Sequence, residues 1–165
     1  MGKFLLTSIL FLMVCTSFAQ KTVGNQSVKD LSGKEVKLSK LINHNKAVVI
    51  SLWATWCKPC VAELNAINDE IEDWVDETGV KFIAISIDDA RSKNRVKSFV
   101  RGRAWDFDVY TDENQDFKRA MGVNLVPHTF LIYKGKIVWE HSSYVAGDEQ
   151  ILFEKIKSLN KNYLE

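Results

Sequence analysis

The central motif of the chain is Trp53-Ala54-Thr55-Trp56-Cys57-Lys58-Pro59-Cys60. An almost unbroken apolar run, residues 47–52, precedes it and predicts a strand that is buried on both faces. Apolar residues at helical spacing follow it, namely Cys60, Leu64, Ile67, Ile71 and Trp74. The sequence therefore predicts a junction between a strand and a helix, at which two cysteines lie three residues apart.

This junction is a favourable environment for a reactive sulfur. Cys57 is expected at or just before the helix start, where unpaired backbone N–H groups and the positive end of the helix dipole stabilise a thiolate. Lys58 adds a cation beside it, and Pro59 has a φ suited to the first helical turn. Cys60 lies one turn inside and should be more shielded. We expect Cys57 to attack a partner disulfide and Cys60 to resolve the mixed disulfide.

Two other interpretations of the cysteine pair have less support. A structural zinc site needs four ligands, and the sequence has no second CxxC and no paired CxxH. An inert structural disulfide would gain little, because so short a loop hardly constrains the unfolded chain. The third cysteine, Cys15, lies in a segment that we expect to be removed. Redox chemistry is therefore the preferred interpretation.

Length and composition favour one folded domain. The chain has 165 residues, of which 46% are hydrophobic and 26% charged, which is typical of a soluble globular protein. Its formal net charge is +1, and residues of both signs are interspersed. No nucleic-acid or polyanion partner is indicated.

The N-terminal segment has the features of a secretory signal peptide. Lys3 gives a positive start, residues 4–14 are mostly apolar, and Ser17-Phe18-Ala19 supplies small residues where a signal peptidase reads. Residues 1–19 are thus predicted to be removed, leaving residues 20–165 as the exported domain in the periplasm or another extracytoplasmic compartment. One alternative is an uncleaved anchor, for which the apolar stretch is short. A second is a lipoprotein box ending at Cys15, which Val14 disfavours.

Strands and helices are predicted along the rest of the chain. The predicted strands are an N-terminal hairpin at 27–31 and 35–38 that covers a sheet edge, strands at 80–88 and about 107–110, and a second hairpin at 129–133 and 137–140. The predicted helices run from Cys57 to about Thr78, around Val96 to Val100, from about 115 to 121 with Asn114 as cap, and from about 148 to 160. This order fits an α/β protein with a central mixed sheet and helices on both faces.

The chain resembles the thioredoxin superfamily in residues 53–60, in the later Val126-Pro127, and in the closing hairpin and helix. The export signal, the N-terminal hairpin, the insertion between about 90 and 111, and Cys60-Val61-Ala62-Glu63-Leu64 resemble the extracytoplasmic thiol–disulfide oxidoreductases of the TlpA/ResA-like group. The resemblance implies a thioredoxin fold, in which a central mixed β-sheet is flanked by helices and carries an N-terminal β-hairpin and a central α/β insertion.

The same resemblance implies roles for three further residues. Pro127 should follow a cis peptide bond in a loop that faces the cysteines, and Val126 should offer its backbone to an extended substrate. Glu63 should accept a proton from the resolving thiol of Cys60. Ser51 stands where cytoplasmic thioredoxins have a buried aspartate, which favours Glu63 as the titrating group, and Asn65 departs from a proline that is frequent in the family.

The side chains around the cysteines have separate interpretations. Trp53 is expected in the core, whereas Trp56, with Lys58 and Pro59, is expected on the surface that binds substrates. His128 would tune Cys57, or join both cysteines in a copper or zinc site, or serve as an ordinary strand-end histidine, which we prefer. His44 and His141 belong to no motif.

The resemblance implies a monomer that transfers electrons without an organic cofactor, through the Cys57–Cys60 disulfide alone. It implies a reductant that a membrane-embedded thiol donor keeps reduced. Its leading substrate is then apocytochrome c, which would give the protein a role in cytochrome c maturation. The alternatives are a DsbA-like oxidant or isomerase, and a copper-handling module that uses the CxxC and His128. Peroxidase activity is disfavoured, because Ala54 stands where similar peroxiredoxins have threonine.

Overall fold

The computed structural model of the protein describes residues 23, 25–42 and 45–163. The predicted signal peptide, Cys15 and His44 lie outside the described residues. The strands are β1 (Ser27–Asp30), β2 (Glu35–Lys37), β3 (Val48–Trp53), β4 (Lys81–Ser86), β5 (Asp108–Thr111), β6 (His128–Tyr133) and β7 (Lys136–Ser142). The helices are α1 (Leu38–Leu41), α2 (Lys58–Thr78), α3 (Lys93–Arg103), α4 (Asp116–Ala120) and α5 (Asp148–Tyr163). Among the helices described, none combines the length and the apolar character needed to span a bilayer.

The described strands form a seven-stranded mixed sheet in the order β2-β1-β5-β4-β3-β6-β7. β3 is parallel to β4, and β4 is parallel to β5, whereas β6 is antiparallel to β3. The N-terminal hairpin pairs through β1 with the inserted strand β5 in antiparallel orientation. The predicted sheet, with a hairpin along its edge, is therefore confirmed.

The central strand β3 shows which helices share a face of the sheet. Its six residues are all buried. Ser51 bonds to Glu63 of α2, and Trp53 packs on Phe99 of α3 with ring centroids 5.7 Å apart. Because alternate residues of a strand point to the same side, α2 and α3 cover the same face.

α5 packs beside α2 on that face, where Trp74 and Phe153 stack with ring centroids 5.0 Å apart. The opposite face is covered as well, since Val48, Ile50 and Leu52 of β3 are 0% exposed. The site at the end of β3 is thus supported by a core on both sides of the sheet.

The helix that carries the cysteines begins and ends as the sequence indicates. Cys57 is its N-cap residue, with an extended backbone at φ −91° and ψ 95°. Gly79 ends it at φ 66°, in the left-handed region that favours glycine. Cys60, Leu64, Ile67, Ile71 and Trp74 are all buried, so the predicted apolar face is confirmed.

Two local predictions were wrong. Leu38 does not end the second strand but begins the short helix α1, and it is fully buried. Asn114 is not the cap of α4, because the N-cap position is Gln115, whose side chain makes no capping bond. The first turn is instead bonded by Asp112, which directly follows β5. Its carboxylate accepts hydrogen bonds from the backbone N–H groups of Phe117 at 3.3 Å and Lys118 at 2.9 Å. A buried carboxylate thus satisfies the first turn of α4.

The two neighbouring helices α2 and α3 carry opposite charge. The exposed acidic residues of α2 are Asp69, Glu72, Asp73, Asp76 and Glu77. The charged residues of α3 are all basic, and Arg95, Arg101 and Arg103 are exposed. An acidic helix surface therefore lies beside a basic one on the same face of the sheet.

Candidate active site

The cysteine pair lies at the carboxyl end of β3, where α2 begins. Cys57 and Cys60 form a disulfide with an S–S distance of 2.06 Å. The backbone N–H of Cys60 donates to Sγ of Cys57 at 3.3 Å. Sγ of Cys57 thus occupies the place of an N-cap acceptor, where the helix N–H groups stabilise negative charge on sulfur. This geometry favours the thiolate of Cys57 when the disulfide is reduced.

The two sulfurs differ in access. Cys60 is 0% exposed and Cys57 is 6% exposed, so Cys57 is the more accessible residue although most of its surface is covered. The carbonyl oxygen of Val126 lies 3.7 Å from Sγ of Cys57. The Val126–Pro127 peptide bond is cis, as the resemblance implies. The loop before β6 therefore packs directly against the sulfur that is predicted to attack.

Exposed side chains surround this point. Trp56 is 63% exposed, and Lys58 and Pro59 are exposed beside it. Leu125, next to Val126, is 73% exposed and was not identified from the sequence. The signal in the sequence that could have identified Leu125 is its position directly before the Val126-Pro127 pair. These residues offer an apolar contact area to another protein.

Trp53 lies in the core behind the cysteines, as predicted. It is 0% exposed, and its ring packs edge-on against Trp105 at 5.1 Å between centroids. Trp105 precedes β5 and donates its Nε1–H to Oδ1 of Asn65 at 3.0 Å. Asn65, which replaces a proline frequent in the family, thus links α2 to the insertion.

Glu63 is a buried carboxyl one turn after Cys60. It is 5% exposed, and it accepts hydrogen bonds from Oγ of Ser51 at 3.2 Å and Oγ1 of Thr129 at 2.8 Å. Burial raises the pKa of Glu63 to about 7, although both hydroxyl bonds act in the opposite direction. The negative charges of Asp148 and Glu149 raise it further. The carboxyl can therefore take up and release a proton near neutral pH.

Two polar partners of this region were assigned no role from the sequence. Thr129 was placed only within a strand, and its bond to Glu63 joins residues 66 positions apart. Asp88 was placed only at the end of a strand, yet it is 2% exposed and bonds to Thr55 near the cysteines. An acidic residue that directly follows a buried apolar strand was the available signal for Asp88.

His128 contacts the neighbouring strand β7. Its Nδ1 lies 2.7 Å from Oγ of Ser142, and its Nε2 lies 3.7 Å from a carboxylate oxygen of Glu140. These contacts favour the strand-end interpretation of this histidine. Within the described part of the chain, no three His, Cys, Asp or Glu side chains are grouped to hold a metal ion. The structure therefore gives no support to a copper site formed by Cys57, Cys60 and His128.

The sheet order, and the place of the disulfide within it, assign the protein to the thioredoxin-like thiol–disulfide oxidoreductases. Residues 19–140 match the AhpC/TSA family, and the chain belongs to that family. The α/β fold class predicted from the sequence is confirmed.

Relatives support the reaction class. The thiol-disulfide oxidoreductase ResA of Bacillus thuringiensis (strain Al Hakam) is 36% identical over 146 residues, which cover 88% of this chain and 76% of the relative. The protein of that name from Bacillus subtilis (strain 168) is 28% identical over 151 residues, 82% of each chain. An uncharacterized thioredoxin-like protein from Porphyromonas gingivalis, solved in solution, is 44% identical, with a TM-score of 0.74 over 84% of this chain and 92% of its own. The predicted resemblance to the TlpA/ResA-like group is confirmed.

Proposed function

We propose that the protein reduces disulfide bonds in other exported proteins, and that an apocytochrome c with CxxCH cysteines is its leading substrate. The observation that carries this proposal is the buried carboxyl of Glu63, one turn after Cys60. In the reductive direction Cys60 must lose its proton before it attacks, and a carboxyl with a pKa of about 7 is suited to receive it.

The first step is the attack of the Cys57 thiolate on one sulfur of the substrate disulfide. A new S–S bond joins Cys57 to the substrate, the substrate S–S bond breaks, and the second substrate sulfur leaves as a thiolate that takes a proton from water. The N–H of Cys60, 3.3 Å from Sγ of Cys57, stabilises the attacking thiolate.

The second step is the attack of Cys60 on the mixed disulfide. Cys60 transfers its proton to Glu63, and the resulting thiolate forms the Cys57–Cys60 bond while the remaining substrate sulfur leaves as a thiolate. That thiolate takes a proton from water, and Glu63 returns its proton to water. Two electrons have then passed from the cysteine pair to the substrate, with two protons balancing the charge. The protein ends in the oxidised form that the structure shows.

The residues around the cysteines are proposed to bind the substrate. Trp56 is exposed and apolar, and Lys58 and Pro59 adjoin it on the surface. Val126 and Pro127 lie against Cys57, where the backbone of an extended peptide can pair with that of Val126. A substrate cysteine held in this way is presented to Sγ of Cys57.

Each turnover leaves a disulfide that must be reduced again. We propose that a membrane-embedded thiol donor supplies these electrons outside the cytoplasm, after the signal peptide of residues 1–19 has directed export. The cysteine pair is then the redox centre of a monomer that needs no organic cofactor.

A DsbA-like oxidant or isomerase is the second candidate, and the environment of Cys57 favours it. The helix N–H groups and Lys58 stabilise the thiolate and hence the reduced form, which makes a dithiol more oxidising. The direction of electron flow therefore depends on the potential that these contacts set.

Equilibration with glutathione buffers separates the two candidates. A potential near that of thioredoxin, about −270 mV, supports a reductant, whereas one near that of DsbA, about −120 mV, supports an oxidant. The substrate is tested by single-turnover reduction of an oxidised CxxCH peptide, with the Cys57→Ser variant as control. In the native host, the Cys60→Ser variant should accumulate a mixed disulfide with an apocytochrome c. Adducts with other proteins alone would contradict that substrate.

A further inference from the structure

Asp88 is a buried carboxylate on the same end of the sheet as the cysteines. It follows β4 by two residues and is 2% exposed. Its Oδ1 accepts from Oγ1 of Thr55 at 2.7 Å, and its Oδ2 accepts from the backbone N–H of Thr55 and from Oγ of Ser86, each at 2.8 Å. These bonds compensate a charge that would otherwise be costly to bury.

Thr55 lies in the turn that leads into Cys57. The N–H of Cys57 donates to the carbonyl oxygen of Ala54 at 3.0 Å, which closes the turn. The N–H of Ile87 donates to the carbonyl oxygen of Trp53 at 2.8 Å. The segment after β4 therefore holds the turn at two points, by its backbone at Trp53 and by the carboxylate of Asp88 at Thr55.

The turn determines how Cys57 enters α2. Sγ of Cys57 has to reach the N–H of Cys60, at 3.3 Å, and lie beside the carbonyl of Val126, at 3.7 Å. The backbone N–H and the hydroxyl of Thr55 both donate to the carboxylate of Asp88, and these two bonds together restrict the orientation of Thr55. A shift of the turn would move the sulfur away from the N–H that stabilises its thiolate.

We infer that Asp88 is a positioning residue for Cys57: its carboxylate fixes the turn from Ala54 to Cys57, so that the sulfur is held at the helix start in the geometry for attack. This inference rests on disulfide exchange through Cys57. It does not depend on the substrate or on the direction of electron flow proposed above.

Asp112 provides a matched control. It is a buried carboxylate, 4% exposed, that directly follows the neighbouring strand β5. Its side chain bonds to the backbone of Phe117 and Lys118 in α4. Replacing it removes a comparable set of bonds from the same sheet edge while the bonds of Asp88 to the turn stay in place.

The experiment compares Asp88→Ala, Asp88→Asn and Asp112→Ala in the full chain carrying Cys60→Ser, with Cys57 reduced. Alkylation by iodoacetamide as a function of pH gives the pKa of the Cys57 thiol, and reaction with a small aromatic disulfide gives its rate of attack. Asp88→Ala should raise the pKa and slow the attack by roughly 10- to 100-fold. Asp88→Asn keeps the shape and one acceptor oxygen, so it should retain most of the rate. Asp112→Ala should change neither quantity.

Two results would overturn the inference. If folded Asp88→Ala kept the pKa and rate of the parent, Asp88 would only stabilise the fold. If Asp88→Asn and Asp88→Ala both lowered the pKa of the Cys57 thiol, the charge of Asp88 would act on Cys57 and not the positioning. Circular dichroism confirms that each variant is folded at the assay temperature.

A second pair of variants tests the same contact with less risk to folding. Thr55→Val removes the hydroxyl donor, and Thr55→Ser keeps it. The valine variant should show the higher thiol pKa, and equal values in the two would contradict the inference. A redox potential near that of DsbA in the wild-type protein would overturn the reductant proposal. The comparison of the Thr55 variants would not be affected by that result.

Discussion

Thr129 donates a hydrogen bond of 2.8 Å from Oγ1 to Oε1 of Glu63, and so joins β6 to the helix that carries the cysteines. β6 begins directly after Pro127. The same strand therefore places the carbonyl of Val126 beside Sγ of Cys57 and the hydroxyl of Thr129 on Glu63. The loop that faces the substrate and the group proposed to receive a proton are thus fixed by one element.

The first testable consequence concerns this bond. Donation from Thr129 favours the ionised form of Glu63, so Thr129→Val should raise the pKa of Glu63 above its value of about 7. The pH at which mixed-disulfide resolution reaches half its maximum rate should then move upward. Thr129→Ser keeps the donor and should leave the midpoint in place. Stopped-flow kinetics between pH 5 and 9 measure the resolution rate as a function of pH. The same pH profile in both variants and in the parent would contradict this expectation.

Replacing the carboxyl itself should slow one step only. Glu63→Gln removes the proton acceptor for Cys60, and resolution of a preformed mixed disulfide should slow by on the order of 100-fold. The initial attack by Cys57 should change much less. Glu72→Gln, on an exposed position of α2, is the control and should have no effect on either step. Equal slowing by both variants would show that the proton of Cys60 does not pass to Glu63.

The buried carboxyl should also make stability depend on pH. The pKa of Glu63 is raised from 4.5 to about 7, so the folded protein holds a proton that the unfolded chain has lost. The stability contributed by this proton is present below about pH 4.5 and is lost as the pH rises through about 7, on the order of 3 kcal/mol. Urea unfolding of the oxidised protein at pH 5 and pH 8 measures this loss.

Glu63→Gln should show a smaller loss of stability between the two pH values, because its amide does not ionise. A variant with the same pH dependence as the parent would mean that other groups account for it.

The two tryptophans at the motif should respond differently to truncation. Trp56 is 63% exposed, so Trp56→Ala should change the free energy of unfolding by no more than about 0.5 kcal/mol. It should raise KM for a protein disulfide while the rate with a small disulfide stays unchanged. Trp53 is 0% exposed, and Trp53→Ala should cost about 3–5 kcal/mol of stability. An unchanged KM in Trp56→Ala would remove this residue from the substrate surface.

The junction at residues 53–60 was predictable because its signals are local. An apolar run, a proline, two cysteines and the helical spacing that follows lie within one continuous segment. The insertion and the edge hairpin were found for the same reason, since each is bounded by turns that the sequence contains. The family resemblance then supplied the contact between Val126 and Cys57, which no local pattern shows.

The rest of the site depends on contacts between distant segments. The bond from Thr55 to Asp88 spans 33 positions. Asp112, and not Asn114, bonds to the first turn of α4, because the end of β5 places its carboxylate against the backbone N–H groups of Phe117 and Lys118. Leu38 was predicted to end the second strand, but it begins α1, where its side chain is completely buried. Hydrogen bonds and burial that arise only when strands and helices assemble leave no signal at a single position.

The acidic surface of α2 and the basic surface of α3 place opposite charge on two neighbouring helices, although the formal net charge of the chain is only +1. A charged protein diffusing toward it would be rotated before contact, because the field has opposite sign over the two helices. Added salt screens that field within roughly 10 Å and would slow or speed the encounter according to the partner's charge. Once the two proteins have met, the exchange of sulfur bonds would proceed at a rate that the salt leaves nearly constant.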